Sequence, residues 1–70
     1  MPTAETAAER QIRELEERII EEEIVATKLE QDGRLDEAAA HREFIDSLWT
    51  ARDRTRLRLS IARKIANDNR

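Results

Sequence analysis

The chain reads as an all-α protein: two long amphipathic helices folded back on each other as an antiparallel hairpin. Three observations predict this fold. Apolar residues recur at three- and four-residue steps over two long segments, which lines them up on one helix face at about 100° per residue. A single glycine, Gly33, divides the segments, and the one proline, Pro2, stands near the start. Turn formers are therefore too few for a sheet, which needs a turn between each pair of strands.

The spacing predicts one domain over residues 1–70, with helix 1 over about 4–31, a turn at 32–34 and helix 2 over about 35–66. Helix 1 starts at Pro2-Thr3 or at Thr6. Thr6 with Glu9 fits a capping box, in which hydroxyl and carboxylate each satisfy a free backbone N–H. Ala8, Ile12, Leu15, Ile19, Ala26 and Leu29 form its stripe. Glu9/Arg13 and Glu14/Arg18 are expected as supporting i,i+4 pairs. Gly33 can take the left-handed conformation that ends a helix.

Asp36 and Glu37 suit the first turn of helix 2, where negative charge meets the positive end of the helix dipole. Its stripe reads His41, Phe44, Leu48, Ala51, Thr55, Ala62 and Ala66, flanked by Ile45, Trp49 and Leu59. The stretch Arg54 to Ile61 alternates with a period of two, as a half-buried strand would. Both neighbours read as helix, and Arg and Leu are good helix formers, so helix is expected there too. Closing the hairpin places Ile19 opposite Leu48, Ile12 opposite Thr55, Ala26 opposite His41, and Glu22 beside Phe44 and Ile45. Gly33-Arg34-Leu35-Asp36-Glu37-Ala38 resembles the inter-helix turn of tetratricopeptide repeats. Helix 2 is far too long for such a repeat and no second copy exists, so the likeness is one of turn chemistry.

Composition excludes several functions. There is no cysteine, hence no disulfide, thiolate nucleophile or cysteine metal site. No apolar run approaches the roughly 18 residues of a membrane span. The first residues have neither a basic start nor an apolar core, so a signal peptide is not expected and the reading points to the cytoplasm. Ser47 and Ser60 lack a second histidine that could serve as base. No Gly-rich phosphate loop is present. A non-enzyme with no cofactor is expected.

Three constellations remain. Glu22 falls where an apolar residue belongs, and His41, the only histidine, lies on the facing stripe with Glu37 one turn before it. These three are the candidates for a metal-binding bundle. The simpler expectation is a Glu22–His41 hydrogen bond, or Glu22 reaching back to Arg18.

The second constellation is charge. Residues 1–50 hold 14 acids and 6 bases, and residues 51–70 hold 2 acids and 7 bases. The basic end (Arg52, Arg54, Arg56, Arg58, Arg63 and Lys64) is expected to pair with the glutamates of helix 1, in the same or a neighbouring subunit. Its alternative role is to neutralise the phosphates of a nucleic acid.

The third is apolar. Ile20 and Ile24 lie one turn apart, away from the helix 1 stripe, and Leu57, Ile61 and Ile65 do the same on helix 2. Trp49 sits at a stripe edge, where interface anchors are common. Two helices form only one seam, so these groups read as contacts to another copy or to a protein partner. The expected assembly is a homodimer with coiled-coil-like packing into a four-helix bundle. The expected function is a small protein–protein interaction module: an adaptor, an antiactivator or a chaperone-like hairpin.

Overall fold

The structure, a computed structural model, describes residues 5–68. Two helices pack against each other, α1 (Ala7–Gln31) and α2 (Leu35–Asp68). The Arg54–Ile61 stretch is helical throughout. The alternative start of α1 at Pro2-Thr3 lies outside the described residues.

Local chemistry sets both ends of α1. The Thr6 hydroxyl accepts from the Glu9 amide at 3.1 Å, and the Glu9 carboxylate accepts from the Thr6 amide at 3.1 Å. Two of the orphan donors of the first turn are thus satisfied. At the other end, the Arg34 amide donates to the Leu29 carbonyl at 2.9 Å and the Gly33 amide to the Glu30 carbonyl at 3.1 Å. This pair of bonds is a Schellman motif, and Gly33 stands at its left-handed position with φ of 76°. A Cβ at Gly33 would meet nothing within 4 Å. Gly33→Ala is therefore expected to cost about 1–2 kcal/mol through backbone conformation alone. Gly33→Asn should cost less, because asparagine tolerates this region. Urea denaturation followed by circular dichroism measures both, and equal stability of all three proteins would contradict the assignment. Past the turn, the Arg34 carbonyl accepts the first α2 bond, from the Ala38 amide at 3.0 Å.

The seam of α1 follows the expected stripe. Ile19 and Ala26 are buried, and Ala8, Ile12, Leu15 and Leu29 are half-buried. The seam of α2 departs from it. Ile45 is 3% exposed, whereas Phe44 is 41% exposed. The seam positions are Ala38, His41, Ile45, Leu48, Ala51, Arg52, Thr55 and Leu59, each buried or half-buried. This set keeps His41, Leu48, Ala51 and Thr55 of the expected stripe. It trades Phe44 for Ile45 and accepts Arg52 as a seam residue. Two fully covered alanines, Ala26 and Ala38, let the backbones approach closely. That leaves room for Ile45 and turns the larger phenyl ring outward. Ala62 and Ala66, also expected in the seam, are exposed.

The molecule measures 57 × 24 × 12 Å. Its thickness is one helix diameter, about 10–12 Å. The buried core is correspondingly small: Ile19, Ala26 and Ile45, with Leu48 packed against them.

Candidate functional site

The hairpin has two differently furnished flanks along its seam. On one, glutamates of α1 meet arginines of α2. Arg52 Nη2 lies 2.7 Å from Glu16, Arg42 Nη2 lies 2.7 Å from Glu30, and Arg63 Nη2 lies 3.5 Å from Glu9. Glu9, Glu16 and Glu30 belong to a row spaced by seven residues, completed by Glu23. A seven-residue step keeps a helix position on the same side of a partner helix. That repeat was the available signal for this ladder, which pairwise i,i+4 reading overlooks. Arg52 is the best-covered cation of the ladder. It buries its stem in the seam, holds Glu16, reaches Asp53 at 3.1 Å and stands over the Trp49 ring at 5.3 Å.

The expected i,i+4 pairs Glu9/Arg13 and Glu14/Arg18 do not form. Glu9 is taken by the N-cap and by Arg63. Arg13 turns to Glu5 at 3.0 Å, and Arg18 turns to Glu22 at 3.0 Å.

The ladder has a pH signature. The Arg42 guanidinium, by hydrogen bonding, holds the Glu30 carboxyl below its ordinary 4.5. Hydrogen bonds from Thr6, backbone first, do the same for Glu9. A carboxyl depressed by folding adds stability that is complete above its unfolded value and is lost as pH falls through its folded value. The contribution of both groups is thus whole at neutral pH and declines only below about pH 4.5. Glu30→Gln is expected to lower the melting midpoint at pH 7 and to bring it toward wild type at pH 3. Parallel curves for the two proteins from pH 7 to pH 3 would contradict this.

The other flank carries the polar cluster. Glu22 accepts from Arg18 Nε at 3.0 Å and meets His41 Nε2 with its other oxygen. His41 Nε2 is cut off from water and has no other polar partner. The Phe44 ring lies 6.2 Å from the imidazole and 5.7 Å from the Arg18 guanidinium. The expected Glu22–His41 and Glu22–Arg18 contacts therefore occur together. Glu37 does not join them, because Arg34 takes it at 2.7 Å. Among the described residues, no group of three His, Asp or Glu side chains is assembled that could hold a metal ion.

The basic end divides. Arg52 and Arg63 are drawn to α1 glutamates, but Arg54, Arg56, Arg58 and Lys64 meet no acidic group among the described residues. Among the described residues, the one side-chain hydrogen bond of this set runs from Arg58 Nη2 to the Thr55 hydroxyl at 3.5 Å. Within one chain, the pairing expected of the basic end is made by Arg52 and Arg63. Arg56 and Arg58 border grooves shared with α1, but the α1 residues there, Ile12 in one and Ala7, Ala8 and Gln11 in the other, offer no carboxylate.

Ile20, Ile24, Trp49, Leu57, Ile61 and Ile65 are all exposed, from 40% at Trp49 to 65% at Ile24. Ile20 and Ile24 line an open groove on α1 with Glu23, Thr27, Lys28 and Gln31. Phe44, expected in the seam, is exposed as well, and so are Val25 and Leu35. Among the described residues, no helix is long and apolar enough to cross a membrane. No protein family, curated protein or solved structure matches the chain.

Proposed function

We propose that this chain is a small protein–protein interaction module that acts without catalysis as a homo-oligomeric helical bundle, in the manner of an adaptor, an antiactivator or a chaperone-like hairpin. The supporting observation is uncovered apolar surface on a molecule one helix thick. Its accessible area is 5753 Å², where a compact monomer of 8.2 kDa exposes about 4,500 Å². The excess, roughly 1,200 Å² of polar and apolar surface together, exceeds the roughly 800 Å² that a standard interface removes from each partner. Two hairpins are the smallest assembly that covers any of it, and they bring four helices together. Sedimentation velocity over a range of concentrations tests the reading. Association is expected, and a folded monomer at every concentration would refute it.

A second reading rests on Arg54, Arg56, Arg58 and Lys64, which lack acidic partners and could meet the phosphates of a nucleic acid. The acidic body of α1 opposes long-range attraction to such a partner. A gel-shift titration at two salt concentrations separates the readings. Micromolar binding near physiological salt, lost in Arg54→Gln/Arg58→Gln, would favour the nucleic-acid role.

A further inference from the structure

The two outward-facing apolar stripes carry opposite charge. Taking about 100° per residue, Ile20 and Ile24 lie roughly 110° and 150° round α1 from the line through Ile19 and Ala26. Glu17, Glu21 and Glu23 surround them, against Lys28 and Arg13, which lies 3.9 Å from Glu17. Glu21 and Glu23 have no ion-pair partner among the described residues. Leu57, Ile61 and Ile65 lie on the side of α2 away from Thr55 and Leu59. Arg54, Arg58 and Lys64 surround them, against Asp68 and Asp53, the latter held by Arg52 at 3.1 Å. One hairpin thus has an acidic apolar edge on α1 and a basic apolar edge on α2, facing opposite ways across its 24 Å width.

We propose that the α1 outer edge of one copy packs on the α2 outer edge of a second copy. The proposal rests on the self-association read above and specifies which surfaces meet. Charge complementarity carries it. Packing either stripe on its own counterpart gathers like charges, Glu21 and Glu23 in one case, Arg54, Arg58 and Lys64 in the other. Packing one on the other sets acid beside base around a shared apolar strip.

Height along the hairpin argues the same way. The α1 stripe is centred at Glu22, level with His41 through their contact. The α2 stripe is centred at Ile61, near the level of Glu9, which meets Arg63. The centres are therefore about 20–30 Å apart along the helices, at ~1.5 Å per residue. A single two-fold axis across the helices cannot pass through both, so no symmetric dimer self-pairs the two stripes at once. The contact is heterologous and staggered. Such a contact passes from copy to copy until a ring closes.

Two variants test this by mixing. Ile20→Gln/Ile24→Gln disables the α1 edge, and Leu57→Gln/Ile61→Gln disables the α2 edge. All four positions are exposed. In sedimentation velocity, wild type is expected to grow past the dimer with concentration. Each variant alone is expected to stay monomeric, and the equimolar mixture to form a one-to-one dimer and stop. If the separate variants lose helix content, its return on mixing reports the same contact. A variant that still associates alone, or a mixture that stays monomeric while wild type associates, overturns the proposal and leaves self-association standing. A wild type that never associates sinks both. Charge reversal gives an independent check. Glu21→Lys/Glu23→Lys should weaken association about tenfold or more, and adding Arg54→Glu/Arg58→Glu to the same chain should restore it. Failure of that restoration also counts against the proposal.

Discussion

Ile45→Ala is expected to unfold most of the hairpin. Truncating a buried isoleucine to alanine costs about 2–5 kcal/mol, and a core this small rarely supplies more than about 3–5 kcal/mol in total. Ile45 is one of three residues in the buried cluster, and Leu48 alone packs against that cluster from its rim. No neighbouring layer can collapse into the cavity, because the molecule is 12 Å thick. The informative control is the next residue. Phe44 is the larger side chain, but it is 41% exposed and lies under Arg18 on the flank. Phe44→Ala should therefore cost less than Ile45→Ala. Urea denaturation of the two variants decides the rotation of α2. A larger loss at Phe44 would mean that the seam follows the stripe through Phe44, and not the one through Ile45 and Arg52.

Dilution is expected to have the second large effect. If other copies cover the exposed apolar edges, folding and association are linked, and the folded state draws stability from protein concentration. By mass action, a hundredfold dilution removes about 2.7 kcal/mol of that support. For a small core this is a large share of the total. The helical signal per residue and the melting midpoint should both fall on dilution. Ile20→Gln/Ile24→Gln, with its α1 edge disabled, should show the low values at every concentration. A wild-type melting midpoint independent of concentration would break the link between edges and stability.

The acidic edge and the charge ladder differ in how far they could be read from residues alone. Ile20 and Ile24 stand out of their stripe by position, so their exposure follows once α1 has one partner. Glu16–Arg52 and Glu9–Arg63 required a register between two helices. That register comes from the turn at Gly33 and the packing of Ile19 against Ile45 and Leu48. Arg52 was the hardest to place. An arginine reads as a surface residue, and the alternative stripe through Phe44 avoided it. Only when the helices are packed does its stem fill a seam position while its guanidinium reaches Glu16 and covers Trp49.

The two helices, their capped ends and the single turn are legible in the residues alone. These depend on near neighbours: Thr6 with Glu9, Gly33 with the carbonyls of Leu29 and Glu30, and apolar steps within one segment. Equally legible is that the apolar edges at Ile20 and Ile24 and at Leu57, Ile61 and Ile65 lie away from a single seam. Tertiary structure alone decided the rotation of α2. His41, Leu48, Ala51 and Thr55 belong to both candidate stripes, so periodicity gives them equal standing. The choice went to Ile45 and Arg52 because Ala26 and Ala38 draw the backbones together, and at that separation an isoleucine fits where a phenylalanine does not. The same rotation left Arg54, Arg56, Arg58 and Lys64 without acidic partners on α1.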